Sequence, residues 1–92
     1  MNIFHKKRRA TKEEVAVMKK YFMQGYEVYR SPMSLFPFDI LAVNPRIGEI
    51  LFIEVKHRDA RLSKRQKEFE EMINKSRYWR VKYVVERVEG VS

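Results

Sequence analysis

The chain has 92 residues, enough for one domain with a single modest core. Twenty Lys and Arg against twelve Asp and Glu give a net charge of +8, a balance that points to a polyanionic partner, nucleic acid before membrane. An apolar content of 45% argues against a disordered chain; the lack of cysteine excludes disulfides and thiolate metal sites; no apolar run approaches the roughly 20 residues of a membrane span.

Residues 1–10 read as a basic arm, with His5 followed by Lys6, Lys7, Arg8 and Arg9, and residues 11–92 as one folded domain. The arm is either a solvated terminus or a phosphate-contacting segment. It has no apolar stretch of the secretory type, which with the absence of cysteine fits an intracellular protein of prokaryotic, archaeal or viral origin. Thr11-Lys12-Glu13-Glu14 is a capping box that starts a helix, with Val15, Met18 and Phe22 as the expected buried stripe and Gly25 as the stop. Tyr26 to Arg30 alternates like a strand, and Ser31 to Pro37 is a loop.

Next come two apolar runs, Asp39–Val43 and Glu49–Lys56, around the turn cluster Asn44-Pro45-Arg46-Ile47-Gly48, the pattern of a β-hairpin. Symmetric closure about this turn puts Asp39 opposite Glu54, with β-carbons roughly 5 Å apart. Lys56, two residues on, shares the face of Glu54. Facing carboxylates repel each other and weaken a strand pair. A divalent cation between them reverses the sign, so the trio reads as a metal site beside an ammonium group.

After the polar connector His57–Arg61, Ser63-Lys64-Arg65-Gln66 is a second capping box. It opens a helix to about Ser76, with Phe69, Met72 and Ile73 inward. Trp79, Val81, Tyr83 and Val85, alternating with Arg80, Lys82 and Glu86, form the last strand. The order is α-β-β-β-α-β, an α/β class.

Each candidate has a plainer reading. Asp39 and Glu54 are each unremarkable as strand-end charges; together they interrupt apolar strands at facing positions. Lys56 is either a solvated strand end or a partner of Glu54. Glu14 is N3 of its capping box, yet it borders the buried side of the helix and can turn a carboxylate toward the sheet; Glu13 is the alternative. Gln66 has the same double identity. His57 is read as solvated or DNA-facing, not as a zinc ligand. Arg58, Arg61, Lys64 and Arg65 cluster beyond Lys56 and as a group suit phosphates.

Pro37-Phe38-Asp39, fourteen intervening residues, and Glu54-Val55-Lys56 resemble the PD-(D/E)xK nuclease superfamily. Arg61-Leu62-Ser63-Lys64-Arg65-Gln66 is similar to its VRR-NUC branch. Glu14 eleven residues before Gly25, with Arg30-Ser31 and Ser34, is similar to the archaeal Holliday-junction resolvases. The resemblance covers roughly residues 11–88; its one departure is Phe38 between Pro37 and Asp39. It implies a restriction-endonuclease-like core, a central mixed four-stranded sheet flanked by helices. Asp39, Glu54 and the Val55 carbonyl would hold Mg²⁺ or Mn²⁺, with Glu14 completing the shell directly or through water. Lys56 and Gln66 would act on the attacking water or the transition state. The implied activity is hydrolysis of DNA phosphodiester bonds to leave 5′-phosphates, on a four-way junction, with a flap, fork or general nuclease as the alternative. So small a domain has little surface for reading bases, which favours a shape-recognised branched substrate. Symmetric junction cleavage calls for a homodimer; Met33, Leu35 and Phe36, or the apolar side of the last strand, are the candidate interface. A basic binding module without catalysis, and an accessory protein using the fold as a scaffold, are the rival readings.

Overall fold

A computed structural model describes residues 10–31, 36–76 and 80–89. The six expected elements occur in the expected order: α1 (Lys12–Met23), β1 (Glu27–Arg30), β2 (Ile40–Asn44), β3 (Glu49–His57), α2 (Lys64–Asn74) and β4 (Arg80–Val88). The four strands form one mixed sheet in the order β1-β2-β3-β4, antiparallel at the first two pairings and parallel at the third. The parallel pair follows from the crossover through α2, since parallel neighbours need a connection of that kind. Among the described residues, no helix is long and apolar enough to cross a membrane.

Strand periodicity sorts the core into two faces. On one face Ile40 and Ala42 of β2 and Leu51 and Ile53 of β3 pack against Val17 and Tyr21 of α1, with Val84 and Val88 of β4 alongside. Ile40 and Ile53, paired across the hairpin, are fully buried. On the other face Phe52 and Tyr83 meet Phe69 of α2, and Phe38 stacks on Phe69. The helices therefore flank the sheet on opposite sides.

Two helix faces differ from the expected stripes. In α1 the buried set is Glu14, Val17 and Tyr21, whereas Val15 and Phe22 are exposed and Met18 is half-buried. The stripe is rotated by one residue because Tyr21 is usable inside: its hydroxyl donates to Glu86 of β4 and its ring meets Tyr26 edge-on. Lys20 adds an ion pair to the same Glu86. In α2 Ile73 is buried and Phe69 half-buried, but Met72 is 58% exposed, since the sheet covers only the face spaced by four residues. The helix ends at Asn74, two residues short of the expected stop.

Lys6, Lys7, Arg8, Arg9, Met33, Ser34, Leu35 and Trp79 lie outside the described residues.

Candidate metal centre

The hairpin register runs from Ile40 opposite Ile53 to Asn44 opposite Glu49, centred on the turn as its symmetry requires. Asn44 Oδ1 accepts the Arg46 N–H, and Gly48 takes a positive φ of 67°, which a side chain there would resist. Extended by one step, this register would set Asp39 opposite Glu54. Asp39 itself lies just before β2, at a bend. Its N–H donates to Ile53 C=O while its own C=O accepts from Ser31 N–H, so its two backbone groups face opposite neighbours. In a regular strand they would face one side. Its carboxylate Oδ2 accepts the Val55 N–H at 2.8 Å, taking the place of the ladder acceptor that β2 no longer supplies. Because N–H and C=O of one strand residue point to the same edge, the Val55 carbonyl points to the β2 side of β3 as well.

Glu54, only 5% exposed, occupies the α2 side of β3. Its Oε2 accepts Gln66 Nε2 at 2.8 Å and lies 3.4 Å from Lys56 Nζ. Burial, then the charge of Asp39, pushes its carboxyl up to about 7; Lys56 and Gln66 pull the other way without cancelling this. One positive ion would relieve both causes, which makes the pair a candidate cation site. The donors on offer are carboxylate and carbonyl oxygens, hard ligands that suit Mg²⁺ or Mn²⁺.

Gln66 is set by its helix. It is N3 of the Ser63 box, where Ser63 Oγ accepts the Gln66 N–H and Gln66 Oε1 accepts the Ser63 N–H at 2.8 Å. Its amide nitrogen is thereby turned toward Glu54.

Glu14 is held differently. Thr11 Oγ1 accepts its N–H at 3.1 Å, and its Oε1 accepts the Thr11 N–H at 3.3 Å. It is buried on the α1 side. Among the described residues no three acidic or histidine side chains gather closely enough to share an ion. Glu13, the alternative, is half-buried in the same first turn.

The basic residues surround the same end of the sheet. His57 closes β3 and is exposed; Arg61, Lys64 and Arg65 are exposed, the last two beside Gln66 at the start of α2. Arg58 pairs with Glu89 at 2.6 Å, both largely in solvent, an arrangement worth little to stability. Arg30 ends β1 opposite Ile40, one step from Asp39.

Two residues at this site are not singled out by pattern. Arg87 donates to the carbonyls of His57 and Ala60 and so shapes the connector that bears the basic group. Tyr83, buried in β4, donates its hydroxyl to Pro37 C=O at 2.7 Å, two residues before Asp39. Its inward place in the last strand was the available signal; the polar partner was not. Comparisons with known families, with curated proteins and with solved structures find no match for this chain.

Proposed function

We propose that this chain is a Mg²⁺- or Mn²⁺-dependent DNA endonuclease of the PD-(D/E)xK kind, with a restriction-endonuclease-like fold. The observation that carries the proposal is the buried Glu54, raised by burial and by Asp39 and joined by Lys56 and Gln66 at one end of the sheet. Asp39, Glu54 and the Val55 carbonyl are the groups to hold the ion, with Glu14 contributing through an intervening water. When bound, such an ion acidifies water and offsets charge developing on the scissile phosphate. Lys56, an ammonium paired with Glu54, orients the attacking water and neutralises charge on the phosphate oxygens. Gln66 fixes the Glu54 carboxylate through Oε2, which would leave the other oxygen for an ion.

Arg61, Lys64 and Arg65, with His57, Arg58 and Arg30, supply phosphate contacts beside the acids, and the basic arm extends them. Hydrolysis leaves a 5′-phosphate. Backbone and shape contacts dominate on so small a surface, which favours a four-way junction cut by a homodimer with two-fold symmetry.

The test incubates the purified chain with labelled junction, flap, duplex and single-stranded DNA, in Mg²⁺ or EDTA, beside Glu54→Gln and Lys56→Ala. Cleavage that needs Mg²⁺ and falls by at least about 100-fold in each variant is expected. Junction-only cutting supports the resolvase form, and cutting of all substrates a general nuclease. Tight binding without cleavage in any metal would leave a binding module and sink the proposal.

A further inference from the structure

We propose that Tyr83 is a positioning residue for the acid pair: a strut from β4 that holds the chain entering Asp39 and so sets the spacing of Asp39 to Glu54. This inference rests on the metal-site reading above.

Asp39 sits at a bend just before β2; hydrogen bonds to Ile53, Ser31 and Val55 hold its backbone and one carboxylate oxygen, and the segment that leads into it adds a further hold. Pro37 lacks an N–H, leaving its carbonyl as the one backbone hydrogen-bonding group there. Tyr83 takes that carbonyl at 2.7 Å from the far side of β3. Phe52 is its ladder neighbour, and Glu54 lies two residues further along β3 on the same face, so the tyrosine passes beneath the strand that carries Glu54.

The ring is fixed as firmly as the hydroxyl. Phe69 meets Tyr83 edge-on at 5.8 Å, Phe52 meets Phe69 edge-on at 5.1 Å, and Phe38 contacts Phe52 at 4.9 Å and Phe69 at 5.9 Å. Phe38 is the residue between Pro37 and Asp39. The aromatic cluster therefore grips the side chain, and the tyrosine hydroxyl the carbonyl, of consecutive residues leading into the acid. Burial and the charges of Glu54, Glu70 and Asp39 keep the hydroxyl protonated well above neutral pH, so it remains a donor wherever the acids are ionised. A phenylalanine at 83 would keep the packing and lose only the strut.

The experiment titrates Mn²⁺ into the full chain, without DNA, by calorimetry and by the electron paramagnetic resonance signal of free Mn²⁺. Wild type, Tyr83→Phe and Tyr26→Phe are compared. Tyr26 is the control because its hydroxyl serves Glu49 on the opposite face. Tyr83→Phe is expected to weaken Mn²⁺ binding about 3- to 10-fold, the loss of roughly one hydrogen bond's worth of positioning. Its thermal midpoint should move by no more than a few degrees, and Tyr26→Phe should leave Mn²⁺ affinity unchanged. Equal affinity in wild type and Tyr83→Phe, or equal weakening in Tyr26→Phe, would overturn the role of Tyr83 alone. Absence of Mn²⁺ binding in the wild type would overturn the metal site itself and this role with it.

Discussion

The two helices open on the same local device and use it to different ends. Both have a complete capping box, with a hydroxyl at the N-cap and a long polar residue at N3. In α1 that residue is Glu14, a carboxylate, which can only accept; its oxygen serves the Thr11 N–H. In α2 it is Gln66, an amide, which accepts from Ser63 with one atom and donates to Glu54 with the other. One residue thus closes a helix and steadies a buried acid. A glutamate at 66 would serve the cap equally well and set a third negative charge beside Asp39 and Glu54. In α2 the N3 side chain joins its cap to a neighbouring acid directly because it carries both a donor and an acceptor.

The contrast breaks most visibly through Gln66→Glu. This variant keeps the cap acceptor, removes the donor and adds charge, so cleavage in Mg²⁺ near neutral pH should fall by about 30- to 100-fold. Glu14→Gln should cost about tenfold or less under the same conditions, as expected of a group acting through water. Matched losses in the two variants, measured as single-turnover rates on a labelled junction, would erase the distinction.

The pH dependence of stability sharpens it further. The folded-state carboxyl of Glu54 lies above its unfolded value of 4.5, so the folded chain holds that proton more tightly. Its contribution to stability is complete below about 4.5 and is lost as pH rises through about 7. Metal-free protein should therefore lose denaturant resistance across that window, and Glu54→Gln should flatten the slope. The smallest effects are local: Thr11→Ala and Ser63→Ala should each cost about 1 kcal/mol in urea unfolding, with only the second also weakening Mn²⁺ binding.

Much of this arrangement is legible in the residue string, and the reasons are local. Both capping boxes were readable because their partners lie within four residues. The hairpin register was readable because the turn cluster fixes its centre, and from that centre the meeting of Asp39 with Glu54 follows by counting. What failed depends on contacts between distant segments. Val15 and Phe22 look more apolar than Tyr21, yet Tyr21 is inside because Glu86, 65 residues away, receives its hydroxyl. Met72 is as apolar as Ile73, but the sheet does not extend over it. The bend at Asp39 arises from three backbone neighbours at once, Ser31, Ile53 and Val55, which no window of sequence displays. Tyr83 was visible as an inward residue; that it reaches Pro37 was not.

The most direct measurement is a ¹³C NMR titration of the Glu54 side-chain carboxyl, with and without Mg²⁺. A midpoint near 7 in metal-free protein, displaced downward as Mg²⁺ is added, is the expected result. A midpoint in the ordinary carboxylate range, indifferent to Mg²⁺, would contradict a cation shared between Asp39 and Glu54.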